Sequence, residues 1–360
     1  MSQPQFENPE AKSFYRAFED RHRGSRELIK VRLRQYASFL TPLLDIHPHG
    51  HVLDLGCGRA EWLEVTRELG FHARGVDLDA GMLSASVELG LDARQGDLLE
   101  ALTACADESL CVVSAFHVVE HISFEVLRAV MREAMRVLVP GGLLILETPN
   151  PENLVVGTNI FYLDPTHIGP IPSLLLEFCA AFSGFSRVKT LRLQESPYLH
   201  TANTIRLIDV LAGVSPDYAV IAQKQANDGV LQLFNPAFQT EFGLTLGQLA
   251  EQYDAATLQQ RAAIKTEATE VLAQTKAELG LRLDEVSLQL RQERAQSKQL
   301  IALLKEEQKQ RAQLQQQLEN HREHAQSREN KLWQQIEQQR QSQNAATNTP
   351  TTQLVNDNPF

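Results

Sequence analysis

The sequence predicts an α/β fold, in which a doubly wound, mostly parallel sheet of seven strands is followed by a long α-helical coiled coil. Three observations lead to this fold class. Short apolar segments alternate with helical segments between residues 51 and 223, two glycines follow the first strand, and leucines recur at heptad spacing after Leu279. Alternating strands and helices form parallel βαβ units whose sheet is covered on both faces.

The first segment, residues 1–50, is predicted to be a helical lid. Apolar residues recur at helical spacing among many charges between residues 11 and 44. Gly24 and Ser25 interrupt this pattern, so we expect two helices in this segment.

Residues 51–224 are predicted to form the α/β domain, which is Rossmann-like in architecture. The predicted strands are residues 51–55, 73–77, 93–95, 110–116, 142–147, 186–193 and 217–223. The predicted helices are residues 61–69, 81–89, 124–137 and 173–182. The connection 150–172 is long for a compact domain, which favours a functional role for it.

The last part of the chain changes to Gln, Glu, Lys and Ala. We expect a helical connector, a coiled coil and a disordered tail, at residues 225–278, 279–343 and 344–360. Apolar residues fall into two heptad series, Leu279, Val286, Leu300 and Leu314 in one, and Leu283, Leu290, Leu304, Leu318 and Leu332 in the other. The pairs Glu293/Ser297 and Glu307/Arg311 interrupt the series. This pattern predicts a homo-oligomer or a partner protein bound through the coiled coil, and a solvated single helix is the alternative.

Composition and charge restrict the function. The 360 residues carry a net charge of −11, and no run of Lys or Arg is interleaved with aromatic residues, which argues against a nucleic-acid partner. The four cysteines form no CxxC pair, which argues against a disulfide framework and a structural zinc site. No stretch approaches about 18 uninterrupted apolar residues, so no membrane span is predicted and a cytoplasmic location is expected.

The first strand leads through Asp54-Leu55-Gly56-Cys57-Gly58 directly into a helix. Gly56 and Gly58 allow a tight turn and a close backbone approach to a ligand, and the helix N-terminus favours a negative group. A dinucleotide fingerprint would have a third glycine where Glu61 stands, which argues against NAD.

Two further acids follow later strands. Asp77 comes about 20 residues after the glycine turn, where a carboxylate can accept hydrogen bonds from both hydroxyls of a ribose. Asp97, in Gln95-Gly96-Asp97-Leu98, stands where a carboxylate can accept a hydrogen bond from an adenine amino group. For both acids the alternative is a turn or a helix cap, and Asp54 could have a structural role in the glycine turn instead of contacting a ligand.

The order and spacing of these residues resemble the class I S-adenosylmethionine (SAM)-dependent methyltransferases. Two further segments add to the resemblance, Phe116-His117-Val118-Val119-Glu120-His121 and Arg136-Val137-Leu138-Val139-Pro140-Gly141-Gly142. The resemblance implies SAM as the cofactor, with Asp54, Gly56, Gly58, Asp77, Asp97 and His117 predicted to bind it. His117 and His121 could also simply cap or pack. Ala60 departs from the family pattern, and alanine is tolerable there unless its φ is positive.

A hydroxyl acceptor usually needs a general base, and His121 and His167 are the candidates because their ordinary pKa is suitable. His117 and His121 have HxxxH spacing in a strand-to-helix loop, not on one helical face, so no metal site is predicted.

The residues after 147 also resemble methyltransferases associated with bacterial surface-polysaccharide (O-antigen type) biosynthesis, on Glu147 to Asn153 and Tyr162 to Pro172; the stretch from Phe14 to Glu27 resembles them too. Gly169 departs from that group, in which an Arg often follows the His-Ile pair. This second resemblance implies O-methylation of a sugar in a cell-surface glycan or its precursor, with recruitment to a membrane-bound assembly complex. One alternative is a small aromatic or quinone-like acceptor. Another is a coiled-coil scaffold with a degenerate methyltransferase head.

Overall fold

The computed structural model describes residues 24–345, with side chains as far as residue 342. The predictions for the segment before Gly24 and for the tail beyond residue 345 lie outside the described residues. Contacts divide the chain into two compact units, Met1–Ala263 and Ile264–Phe360. None of the helices within residues 24–345 combines the length and the apolarity needed to cross a membrane.

The first unit is built on a sheet of seven strands. They are β1 His51–Leu55, β2 His72–Asp77, β3 Asp92–Gln95, β4 Leu110–Phe116, β5 Leu138–Pro149, β6 Arg187–Leu193 and β7 Asp217–Gln223. Their order across the sheet is β3-β2-β1-β4-β5-β7-β6. The pairs from β3 through to β5 are parallel, whereas β7 is antiparallel to both β5 and β6, so the sheet is mixed. The predicted seven strands are confirmed, and most of their pairs are parallel, as predicted.

Helices cover both faces of this sheet. Within residues 24–345 the helices are α1 Arg26–Leu33, α2 Ala37–Ile46, α3 Glu61–Leu69, α4 Ser84–Glu88, α5 Leu98–Thr103, α6 Phe124–Val137, α7 Leu154–Thr158, α8 Ser173–Phe182, α9 Tyr198–Thr201, α10 Leu207–Ala212, α11 Asp228–Leu233, α12 Asn235–Gln239 and α13 Leu246–Ala345. Single 3₁₀ turns lie at Arg34–Tyr36, Val119–His121 and Ile160–Leu163.

Two apolar layers hold the sheet in place. All seven residues of β4 are buried, and alternate side chains point to opposite faces, as the two-residue period of a strand requires. Val113 packs in the layer that contains Met131 of α6, and Val112 packs in the layer that contains Phe39 of α2. A strand buried on both faces therefore reads as a continuous apolar run in the sequence.

The described part of the predicted lid contains a capped helix. The Ser25 hydroxyl accepts a hydrogen bond from the Leu28 amide, which starts α1 after Gly24. The Lys30 ammonium then lies 2.6 Å from Glu64 and 2.9 Å from Glu68 of α3, so ion pairs fix α1 beside the helix that follows the glycine turn.

The first unit extends beyond residue 224, the predicted end of the α/β domain. Phe234 and Ala237 are buried in the layer that contains Phe39, and Leu249 is buried in a separate small cluster. The chain therefore still adds to this unit's core where a connector was expected, because apolar residues among the polar ones reach that core.

The connection 150–172 also contains more structure than expected. Asn153 accepts hydrogen bonds from the amides of Val155 and Val156 and thereby caps α7, and the 3₁₀ turn Ile160–Leu163 follows. A long helix is confirmed at the C-terminus, whereas a coiled coil stays a prediction. The apolar residues of both heptad series are exposed on the single chain.

Candidate functional site

A cavity of about 510 Å³ opens at the ends of β1, β2 and β4. Its volume lies within the range of small-molecule sites. The predicted site residues that line it are Asp54, Gly56, Gly58, Asp77, His117, His121 and His167. One site thus brings together all of the predicted cofactor and catalytic residues except Asp97.

The glycine turn forms one wall of the cavity. Gly56 and Gly58 have φ values of 69° and 51°, in the left-handed region that favours glycine. A Cβ on Gly56 would lie under 3.0 Å from the Val118 side chain. The turn therefore presents bare backbone at Gly56 and Gly58, with Val118 packed against Gly56.

Ala60 has the backbone conformation in which alanine was expected to be unfavourable. Its φ of 65° is positive, the condition under which alanine at this position is unfavourable. Its amide donates to the Cys57 carbonyl over 2.8 Å, and its side chain is fully buried. The turn holds Ala60 in this conformation, at a cost that glycine would not carry.

Asp77 joins the end of β2 to the glycine turn. Its Oδ2 accepts from the Gly58 amide and its Oδ1 from the Asp79 amide, both over 2.8 Å. Asp54 is buried, and its Oδ1 accepts from the Ser114 hydroxyl over 2.7 Å. Asp77 therefore orders the turn and Asp54 joins β1 to β4, and both acids line the cavity.

Asp97 is placed differently from the other acids. Its Oδ1 caps α5 by accepting from the Leu99 and Glu100 amides, at 2.8 Å and 3.0 Å. Its neighbours Gly96 and Leu98 line the cavity, but Asp97 is not among the lining residues. The helix-cap alternative is thus realised, and the contact with adenine stays a prediction.

His117 lies between two carboxylates on the other side of the cavity. Its Nδ1 is 3.4 Å from Glu120 Oε1 and its Nε2 is 3.5 Å from Glu147 Oε1. Desolvation alone would lower the pKa of His117, but these two carboxylates outweigh it and raise the pKa well above the ordinary value. At neutral pH His117 is therefore the cation of an ion-pair cluster.

Other members of this cluster were not predicted from the sequence. The Tyr36 hydroxyl and the Gln194 amide both donate to Glu147, the latter over 3.2 Å. Burial raises the pKa of Asp217 to about 6, while His117 opposes this shift. Glu147 could have been recognised from its position near the end of an apolar strand, since a buried charge needs partners. Tyr36 lies in a helical pattern that carries no such signal.

His121 heads a chain of hydrogen bonds. Its Nδ1 lies 2.8 Å from the Thr166 Oγ1, and the Thr166 hydroxyl lies 2.6 Å from Asp164 Oδ1. Because the Asp164 carboxylate can only accept, Thr166 donates to it and His121 Nδ1 carries the proton that is donated to Thr166. Burial is the largest cause of a lowered pKa at His121, which keeps the ring neutral and leaves a lone pair on Nε2.

His167 packs against His121, with the ring centres 4.6 Å apart. Its Nδ1 pairs with the Phe161 carbonyl, which can only accept, so His167 also carries its proton on Nδ1. The two candidate bases thus differ in what their Nδ1 atoms contact, a peptide carbonyl for His167 and a carboxylate through a hydroxyl for His121, while His167 Nε2 lies 3.9 Å from Asp164 Oδ2.

Two groups of side chains could geometrically hold a cation, although no metal site was predicted. In Glu120, His121 and His167, and likewise in His117, Glu147 and Asp217, one ligand atom of each residue lies within 4.8 Å of the others. The hydrogen bonds at both Nδ1 atoms leave Nε2 as the ring ligand of His121 and His167. Any metal at the first group would therefore compete for the lone pair that a general base uses.

Comparisons with known proteins identify the family. Residues 25–190 match the family described as "Methyltransferase domain". The crystal structure of a SAM-dependent methyltransferase from Archaeoglobus fulgidus is 31% identical, with a TM-score of 0.52, over 59% of this chain and 100% of that one. The ubiquinone biosynthesis O-methyltransferase of Paraburkholderia xenovorans (strain LB400) is 34% identical over 116 residues, which are 30% of this chain.

The chain spans about half the length of that curated relative, 49%, whereas it covers the archaeal structure completely. The bare glycine turn at the carboxyl end of β1 and the carboxylate at the end of β2 fit the cofactor of these enzymes. The chain therefore belongs to the SAM-dependent methyltransferases, and its cofactor is SAM.

Proposed function

We propose that this chain is an O-methyltransferase that methylates a hydroxyl of a sugar in a cell-surface glycan or its precursor, with His121 as the general base. The observation that carries this proposal is the hydrogen-bonded series His121, Thr166 and Asp164 on the cavity wall. A neutral imidazole whose far nitrogen is fixed by a hydrogen bond can accept the proton of an incoming hydroxyl.

Bound SAM supplies an electrophilic methyl group on a positively charged sulfur. In the proposed step, the acceptor oxygen forms a bond to the methyl carbon while the carbon–sulfur bond breaks and its electrons remain on sulfur. The hydroxyl proton passes to His121 Nε2. The imidazolium formed is then stabilised by Asp164 through Thr166, and Asp164 is itself only 6% exposed. His167 is the less favoured base because its Nδ1 pairs only with a peptide carbonyl.

The donor half of the proposed site consists of Gly56 and Gly58 with Asp54 and Asp77, and Asp97 is kept as the proposed adenine ligand. The acceptor half contains the carboxylates, the amide and the imidazole around Glu147. These groups can hydrogen-bond several hydroxyls at once, which supports a polyol acceptor. His117, which was predicted to bind the cofactor, would here orient the acceptor through its contacts with Glu120 and Glu147.

The similarity to the ubiquinone biosynthesis O-methyltransferase favours a second candidate, a small aromatic or quinone-like acceptor. Ile160 and Leu163 line the cavity and are about half exposed, so part of the rim is apolar. A quinone-like acceptor would lie against this part of the rim, whereas a sugar would lie against the polar groups around Glu147.

The test measures release of S-adenosylhomocysteine with three acceptor classes, nucleotide sugars, isolated surface glycans and catechol-type phenols. Turnover with a sugar, lost in His121→Ala but retained in His167→Ala, would support the proposal. Turnover with phenols alone would favour the second candidate. SAM that fails to bind at millimolar concentration in calorimetry would instead indicate a scaffold with an inactive head.

The role of Thr166 has a separate test. Thr166→Val keeps the shape but removes the hydroxyl that accepts from the His121 N–H, and loss of an acceptor costs about 1–3 kcal/mol for a buried group. This corresponds to a roughly 5- to 150-fold slower kcat, with little change in SAM affinity. Retention of activity in EDTA-treated protein would separate this role from a metal at Glu120, His121 and His167.

A further inference from the structure

The two heptad series of α13 form an apolar seam without a partner in the described residues. Leu300 is 61% exposed and Leu304 is 55% exposed, and the other apolar residues of the seam are similar. Ile301 and Leu303 flank the same point of the seam and are also more than half exposed. Such a stripe on a helix is buried only when a second helix packs on it.

Charged residues within the seam restrict how a second copy can pack. In an in-register parallel pair, each seam residue faces the same residue of the other copy. Glu293 would face Glu293, Glu307 would face Glu307, and Arg311 would face Arg311. Like charges in the seam oppose this arrangement, because burial removes the water that would otherwise screen them.

We propose that residues 279–325 pair antiparallel with the same segment of a second copy, with the two-fold axis beside Ala302. In this register Glu293 faces Arg311 of the second copy, and Ser297 faces Glu307 of the second copy. Both contacts occur twice because the pair is symmetric. In the antiparallel pair, each Glu293 carboxylate therefore faces the positive charge of Arg311. In the parallel pair, it would face a second Glu293 carboxylate.

The apolar residues match in the same register. Val286 faces Leu318 of the second copy, Leu290 faces Leu314, and Leu300 faces Leu304. Sliding one copy by a full heptad would place Glu307 opposite Leu304 instead. Both the charged residues and the leucines therefore favour the same register of the antiparallel pair within residues 286–318.

Ile301 and Leu303 provide an independent argument. They occupy the two positions that flank the seam, and in the antiparallel pair each meets its own counterpart next to the axis. In the parallel pair, Leu303 would lie beside Gln308 and Ile301 beside Gln296 of the other copy. Ile301 and Leu303, which are exposed on the single chain, would thus be covered next to the proposed axis.

Disulfide formation tests the orientation in the full-length chain. We would co-express Val286→Cys with a mass-tagged Leu318→Cys chain, since these positions face each other only in the antiparallel pair. The native cysteines Cys57, Cys105, Cys111 and Cys179 are all buried, which limits their interference. A disulfide between the two different chains, and none in either variant alone, is the expected result. A Val286→Cys chain that links to itself, or no link at all, would overturn the proposal.

Charge reversal tests the register. Glu293→Arg should raise the dissociation constant of the pair at least tenfold in analytical ultracentrifugation, and adding Arg311→Glu should restore it. In a parallel pair, Glu293→Arg only replaces one like-charge contact by another and changes little. Glu319→Arg, outside the seam, is the matched control and should stay within twofold. A full-length chain that remains monomeric at micromolar concentration would reject a second copy as the partner.

Discussion

Replacement of Gly56 by alanine tests whether the glycine turn forms the donor site. The backbone there has a φ of 69°, and the new Cβ would come under 3.0 Å from the Val118 side chain. The side chain of Val118 must move, or the turn must shift, and both line the cavity in which SAM is proposed to bind.

The expected free-energy cost of Gly56→Ala has two parts. Left-handed backbone costs an alanine about 1–2 kcal/mol relative to glycine, partly offset by about 0.4–1 kcal/mol from a less flexible unfolded chain. Overpacking adds about 1–3 kcal/mol. If half of the overpacking cost, about 0.5–1.5 kcal/mol, appears as lost donor binding, SAM affinity falls about 2- to 12-fold, since about 1.4 kcal/mol is a factor of ten.

Titration calorimetry with SAM measures this loss, and Gly90→Ala is the matched control. Gly90 has a similar φ of 59°, but no heavy atom of the described chain lies within 4 Å of its added Cβ. We expect Gly90→Ala to bind SAM within twofold of the parent, and Gly56→Ala with Val118→Ala to recover part of the affinity. A folded Gly56→Ala protein with the parent's SAM affinity would refute the placement of the donor at this turn.

Two further predictions concern stability. Because the pKa of His117 is raised, its stabilising contribution is complete below the unfolded pKa of about 6.5 and is lost as the pH rises through the folded pKa. Urea unfolding of His117→Asn should therefore differ most from the parent near pH 6 and converge with it at alkaline pH; a constant difference would contradict this. Lys30→Met should lower the free energy of unfolding by about 1–3 kcal/mol, because it leaves Glu64 only 18% exposed without its ammonium partner. Arg34→Met, at a half-exposed ion pair, should cost under about 1 kcal/mol, and equal losses for both would argue against a special role for Lys30.

The parallel part of the sheet could be predicted from the sequence, because the residue pattern of each segment there agrees with its buried or half-buried position in the fold. The predicted bounds of β4, α6 and α8 match the structure, since each is a continuous apolar or amphipathic segment with clear ends. The end of the α/β domain could not be located in this way. Phe234 contributes to the core from a segment predicted to be a connector, and only the packed structure identifies it as buried.

The two halves of the site differ in the same respect. The proposed donor side is formed by consecutive residues from the end of β1 and by one acid at the end of β2, so spacing alone suggests it. The proposed acceptor side combines Tyr36, Glu147 and Asp217, which are far apart in the sequence. Glu147 and Asp217 meet because β5 and β7 are neighbours, and Tyr36 reaches Glu147 from the 3₁₀ turn Arg34–Tyr36. The link from His121 to Asp164 through Thr166 likewise depends on how the connection after β5 folds back over the cavity.

The acidic residues that line the cavity can stabilise a positive charge both before and after the proposed methyl transfer. Among the lining residues within positions 24–345, Arg32 is the only Lys or Arg, against seven Asp and Glu. On the proposed donor side, Asp77 would stabilise the positive charge that bound SAM carries. On the proposed base side, Asp164 would stabilise the charge that His121 acquires when it accepts the hydroxyl proton. The proposed transfer would therefore begin and end with a positive charge next to an acid that the fold already holds in place.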